Sequence, residues 1–215
     1  MSQDNTNFDN APVIKLSKEY ENPIDYYMYN YICEYTSPLF YTLGISPNMI
    51  TTLSLITGLY STSFVTSQQY NFAILFLWIS YYFDCLDGHV ARKYKQCSSI
   101  GCYYDHLKDI SVTSYLIYKL LLKFIELEHE LLFSLSIFLF AVGLAIQMGL
   151  QELNTTSQPS PFLKVFVLLC KNSLWEIPKE FIIYTKFLGC GTFFMLLSVL
   201  MVWCHIVEVN PLYDS

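Results

Sequence analysis

Charge is scarce in this chain. Asp, Glu, Lys and Arg make up 14% of its 215 residues, against about 25% in an ordinary soluble domain. Between Glu34 and Asp84 there is none at all. A helix crosses a bilayer with about 20 apolar residues, so this stretch alone is long enough for two crossings, and a cytosolic globular enzyme is excluded. A disordered chain combines low hydrophobicity with high net charge; 53% hydrophobic residues and a mean hydropathy of +0.36 exclude that too. Positive charge is short as well, the formal net charge being −6. A nucleic-acid binder meets phosphates with a basic surplus, so no nucleic-acid partner is expected. An anionic substrate would need a local Arg or a metal ion. The seven cysteines are scattered without a C-x-x-C pair, which points to neither a disulfide framework nor a zinc site. MSQDNTNFDN at the start lacks the basic and apolar regions of a cleaved signal, so the chain's own helices are expected to bring it to a membrane.

What is present is a series of apolar segments. Residues 1–22 are polar and rich in Asn and Asp and read as a flexible tail, leaving 23–215 as one membrane domain. Residues 24–43 are crowded with Tyr, which favours the headgroup level, and read as an amphipathic helix lying along the interface. Ser46 and Pro47 suit the cap and first position of a helix, starting a span that ends near Thr66. Further spans are expected over 70–92, 101–124, 131–150 and 187–207, with 151–161 a loop. Residues 162–186 mix apolar runs with Lys164, Lys171, Glu176, Lys179 and Glu180; they read either as a sixth crossing or as a surface helix pair. The fold class is therefore all-α: a multi-pass integral membrane bundle of five to six helices behind an interfacial helix.

The chemistry concentrates in DCLDGHVARKYKQCSSIGCYYDHLKD, residues 84–109. At about 100° per residue, Asp84, Asp87, Gly88 and Ala91 fall on one helical stripe with Arg92 at its edge. Gly101, Asp105 and Asp109 form a stripe on the next helix. The short basic link makes the two helices antiparallel neighbours, so both stripes meet near one membrane surface. Four carboxylates there repel one another and are costly to desolvate. Their hard oxygen donors suit Mg²⁺ or Mn²⁺, and two such ions would offset four negative charges. Paired metals are a recurring device for displacement at phosphorus. Gly88 and Gly101 leave room for a ligand near the backbone, and the planar fork of Arg92 suits phosphate oxygens. The plain alternative is a solvated helix end whose acids pair with Lys93, Lys95 and Lys108.

The pattern Asp84-x-x-Asp87-Gly88-x-x-Ala91-Arg92, eight residues, Gly101-x-x-x-Asp105-x-x-x-Asp109 resembles the signature of the CDP-alcohol phosphatidyltransferases at each defined position. The resemblance implies a membrane bundle, usually six helices and a homodimer, with an amphipathic helix ahead of the first span. It implies that Asp84, Asp87, Asp105 and Asp109 bind two divalent ions, that Gly88, Ala91 and Gly101 make room for the cytidine nucleotide, and that Arg92 holds phosphate. Asn48 and Thr51, at the start of the first span, would help hold the nucleotide. Asp109 would be the general base, and the acceptor hydroxyl would attack phosphorus and expel CMP. The short chain is similar to members that use CDP-diacylglycerol and a small polar alcohol. Gly88-His89-Val90-Ala91-Arg92 resembles phosphatidylinositol synthases, whereas Asp105-His106 resembles the choline/ethanolamine branch, which makes His106 a second base candidate. A non-enzymatic ion-binding membrane protein is the alternative from another class; the concentration of the acids on one pair of helix ends favours the enzyme.

Other residues carry less. His129 sits in an acidic turn, and His205 suits a hydrogen-bonded place in a bundle. Asn154-Thr155-Thr156 is a glycosylation sequon, but Arg92, Lys93 and Lys95 place the link after the second span in the cytosol, and two crossings return 151–161 to that side. In a eukaryotic cell the expected location is the endoplasmic reticulum membrane, with the acidic site facing the cytosol.

Overall fold

A computed structural model describes residues 20–155, 164–172 and 179–209, which are helical with no strand among them. The interfacial segment is one helical rod with a wide turn inside it: α1 (Pro23–Tyr27), a π-helical stretch (Met28–Cys33) and α2 (Glu34–Thr42). Asn22 caps it, accepting from the backbone N–H groups of Ile24 and Asp25. The sequence placed Asn22 in a flexible tail; instead it is fully buried, donating to Lys186 O (2.9 Å) and Thr192 Oγ1 (2.7 Å). The ordered domain therefore begins ahead of residue 23, and the rest of the expected tail, 1–19, lies outside the described residues.

α3 (Pro47–Thr66) starts as the sequence indicates, with Ser46 capping Met49 N and Pro47 in the first turn. α4 (Tyr70–Lys93) returns antiparallel to it. The two approach closely because small hydroxyl residues line their contact: Ser54 Oγ donates to Ser80 O (2.9 Å), Ser80 Oγ to Ser54 O (2.8 Å) and Ser61 Oγ to Ala73 O (2.8 Å). Small residues and interhelical hydroxyl bonds of this kind hold helices together where surrounding lipid removes the hydrophobic drive. α5 (Ser99–Glu126) packs on α3, and α6 (Glu130–Thr155) follows after a turn in which the ring of His129 meets Trp203 edge-on at 4.8 Å.

α6 runs to Thr155, so the expected loop is helical in its first residues, and Asn154 donates to Leu150 O inside the last turn. α7 (Lys164–Asn172) has nine residues, about 14 Å at 1.5 Å each, too short to cross by itself; it packs on α6. The remainder of 162–178 lies outside the described residues. α8 (Ile182–Thr185), flanked by 3₁₀ turns, leads to α9 (Cys190–Val209).

Among the described residues, three helical stretches are long and apolar enough to cross a membrane: Pro47–Thr66, Glu130–Asn154 and Ile182–Val209. α4 and α5, with 24 and 28 residues, reach about 36 and 42 Å, but each carries a charged end. α6 shows the surface of a lipid-facing helix, with Leu131, Leu132, Leu135, Phe138, Leu139 and Val142 all exposed; a soluble monomer rarely shows so large an apolar patch. The main core lies at one end of the bundle, around Tyr70, Leu77, Leu120, Phe124, Phe133, Leu197 and Met201. A smaller cluster at the other end (Cys33, Ile50, Leu86 and Val90) seats the interfacial rod on α3 and α4. The acidic motif lies at that second end.

Candidate active site

Three helix ends build the site: the start of α3, the end of α4 and the start of α5. Ser98 caps α5 by accepting from Gly101 N (3.0 Å), so Gly101 sits in the first turn with its face against α3. A Cβ there would stand 2.8 Å from Asn48 Oδ1 and 2.8 Å from Ser98 Oγ. A side chain at Gly101 would displace the Asn48 amide and the Ser98 cap. Gly88 has the same kind of role: a Cβ would stand 2.9 Å from Nη2 of Arg92, whose guanidinium folds back over it.

The carboxylates converge as the two stripes require. One oxygen each from Asp84, Asp87 and Asp105 lie within 4.8 Å of one another, and the same holds for ligand atoms of Asp105, His106 and Asp109. Asp87 is 4% exposed, and Thr51 Oγ1 donates to its Oδ2 (2.7 Å). One oxygen is thereby fixed and the carboxylate plane set. The hydroxyl of Thr51, which the resemblance assigns to the nucleotide, lies within reach of both Asp87 Oδ2 and Pro47 O (3.1 Å). Ala91 is half-buried, and its carbonyl accepts from Gln96 N (2.8 Å) as the chain turns into the link. His106 is half-buried, with Nε2 3.7 Å from Cys102 Sγ.

Lys108 is the residue that the spacing undervalued. Its side chain is 2% exposed. The ammonium contacts Asp84 and stands 2.6 Å from Asp109 Oδ1, 3.3 Å from Asp105 Oδ1 and 3.3 Å from Ser54 Oγ. Read from sequence it was a routine surface partner, yet it lies beside Asp109 and three residues after Asp105, close enough to their stripe to turn inward. Beneath it lies a small cavity of ≈20 Å³, lined by Ser54, Ser80 and Thr113 and by the apolar Leu116, Phe194 and Leu197.

The interfacial rod closes the other side. Arg92 Nε donates to Tyr29 Oη (3.0 Å), and the guanidinium lies 5.1 Å from that ring's centroid. Tyr29 therefore aims Arg92, a role with no signal in the Tyr-rich sequence. Glu34 receives Lys93 at 2.5 Å and has His89 Nε2 at 2.9 Å. Lys93 holds the Glu34 carboxyl below its ordinary range against a smaller opposing effect of desolvation. His89, which resembled one substrate branch, takes part in this clamp and meets the Tyr29 ring in a tilted contact, 4.4 Å between centroids.

A helical membrane bundle with clustered aspartates, an arginine and small residues at three converging helix ends defines a membrane enzyme acting on a phosphorylated substrate. Residues 44–209 match the family model described as CDP-alcohol phosphatidyltransferase, and the chain belongs to that family. It is a transferase that moves a phospho-alcohol group from a CDP-alcohol. No curated protein and no solved structure matches it. Family members use divalent metals, and the carboxylate groups fit such ions in donor type and spacing.

Proposed function

We propose that this protein transfers a phosphatidyl group from CDP-diacylglycerol to the hydroxyl of a small polar alcohol such as inositol, releasing CMP. The observation that carries the reading is the meeting of Asp84, Asp87 and Asp105 within 4.8 Å, next to Gly88 and the arginine folded over it. Mg²⁺ or Mn²⁺, held by Asp84, Asp87 and Asp105, would offset the diphosphate charge of donor and leaving group; the resemblance adds a second ion, at carboxylates that include Asp109. Arg92, aimed by Tyr29, holds phosphate oxygens. Gly88, Ala91, Gly101 and Asn48 leave the space that the cytidine occupies, and Thr51 orients Asp87.

The acceptor oxygen bonds to the phosphorus that carries the diacylglycerol. The bond from that phosphorus to the bridging oxygen breaks, the electron pair leaves with CMP, and the hydroxyl proton passes to Asp109 or His106. The working unit is a homodimer in a membrane, the endoplasmic reticulum in a eukaryote, with the site on the cytosolic side. Residues 23–215 form the transferase domain, with Tyr20–Asn22 docked on it.

Transfer by diacylglycerol with CDP-choline or CDP-ethanolamine is the second reading, favoured by His106, whose ring nitrogen lies within 4.8 Å of carboxylate oxygens of Asp105 and Asp109. Incubation of the purified protein with CDP-diacylglycerol plus inositol, serine or glycerol phosphate, against diacylglycerol plus CDP-choline or CDP-ethanolamine, tests both. A labelled phosphatidyl product with CMP from the first set is expected. Products from the second set alone would replace the first reading with the second, and no CMP from any combination would remove both. Asp105→Asn and Asp109→Asn are each expected to abolish transfer with unchanged melting.

A further inference from the structure

Two divalent ions sharing four aspartates need two centres free of other cations, and one centre already holds a positive charge. The Lys108 ammonium has three N–H donors, and three carboxylates surround it: Asp84, Asp105 and Asp109. Its side chain is 2% exposed, so it is enclosed by protein and not merely resting on the surface. Ser54 Oγ, 3.3 Å away, sits on the buried contact of α3 with α4 and steadies it from behind. The other triad, Asp84, Asp87 and Asp105, shares Asp84 and Asp105 with the ammonium, but its third member, Asp87, is oriented by Thr51 and not by Lys108.

We infer that Lys108 is a built-in cation standing where a second divalent ion would bind, so that the chain takes one divalent ion, at Asp84, Asp87 and Asp105. The inference rests on the reading of the aspartates as metal ligands and departs from the two ions that the resemblance implies. A metal at the centre of Asp84, Asp105 and Asp109 would coincide with the ammonium, and like charges in one small centre repel strongly. A covalently attached charge also leaves part of the neutralisation independent of metal concentration, so activity saturates along a single-site curve in metal. Lys108 is a positioning and charge-balancing residue in this account: it fixes Asp109 and Asp84 and shares in offsetting the diphosphate.

The test is the binding of Mn²⁺ alone to the full-length protein in lipid nanodiscs, by equilibrium dialysis and electron paramagnetic resonance. Wild type is expected to bind one Mn²⁺ per chain with the six-line spectrum of an isolated ion. Lys108→Met, similar in length but uncharged, is expected to bind two, with the broadened spectrum of a coupled pair. Two tightly bound ions in the wild type would overturn the inference, as would a Lys108→Met protein that folds and still binds one. If Lys108→Met does not fold, Lys108→Gln takes its place, and the wild-type stoichiometry decides in any case. CMP release, measured separately, distinguishes the two readings. One Mn²⁺ per chain without CMP from any CDP-alcohol removes the proposed reaction and leaves the metal count standing. CMP release by a two-Mn²⁺ enzyme removes the role of Lys108 alone, and no Mn²⁺ bound to any form removes the metal reading and the inference together.

Discussion

Replacing Thr51 by Val tests whether the site depends on how Asp87 is held. The side chains are nearly the same size, so packing at this 2%-exposed position is kept. The loss is the 2.7 Å bond to Asp87 Oδ2. A hydrogen bond to a charged group contributes about 1.5–3 kcal/mol, and a tenfold change in affinity corresponds to about 1.4 kcal/mol. If that energy serves to keep Asp87 in its ligating pose, divalent-ion affinity falls roughly 10- to 100-fold, the range found when partners that orient metal ligands are removed. Mn²⁺ binding to the resting protein reads this directly, and the metal concentration giving half-maximal CMP release should shift in parallel. Thr51→Ser keeps the hydroxyl and should recover most of the loss. Mn²⁺ affinity within twofold of wild type in Thr51→Val, together with a raised KM for the CDP-alcohol, would refute the reasoning. It would return Thr51 to the nucleotide role that the resemblance implies.

Gly88→Ala places a methyl 2.9 Å from Arg92 Nη2, so the guanidinium must swing away; transfer should fall at least tenfold at unchanged melting temperature, read as CMP release beside a thermal shift. Glu34→Gln removes the pairing with Lys93 and weakens that with His89. Since the Glu34 side chain is 54% exposed, the loss should stay at or below about 1 kcal/mol and appear as faster amide exchange across residues 23–42. The sign of its pH dependence follows from the lowered Glu34 carboxyl: the pair's contribution is present above the ordinary carboxylate range and is lost as pH falls through the lowered value. Wild type and Glu34→Gln should therefore converge in acid.

The motif residues were legible because chemistry and helical geometry agree there. Acids four apart in α5, and three to four apart from Gly88 and Ala91 in α4, had to share faces, and a short link had to bring the faces together. The start of α3 was legible for a similar reason, since Ser46-Pro47 leaves few other local structures. Lys108 was harder, because a single Lys among acids on an apparently wet helix end is ordinarily solvated; only the packing of α5 on α3 and Ser54 shows it enclosed. Tyr29 was invisible, since nothing distinguishes one Tyr in a run of them until the π-helical stretch sets which ring turns toward α4. The far end of α6 was misjudged because Gln, Asn and Thr at 151–155 suggest a loop, whereas an established helix carries them for one more turn.

The rod that begins at Asn22 is fastened by residues far from it in the sequence. Asn22 reaches Lys186 and Thr192, and Asp25 joins Tyr81 to the backbone N–H of Gly191, bonds spanning up to 170 positions. During synthesis the early segment emerges first, yet half of its anchorage does not exist until α9 leaves the ribosome. The N-terminal end of the rod therefore docks only once α9 is made, whereas Tyr29 and Glu34 can meet α4 as soon as that helix is in place.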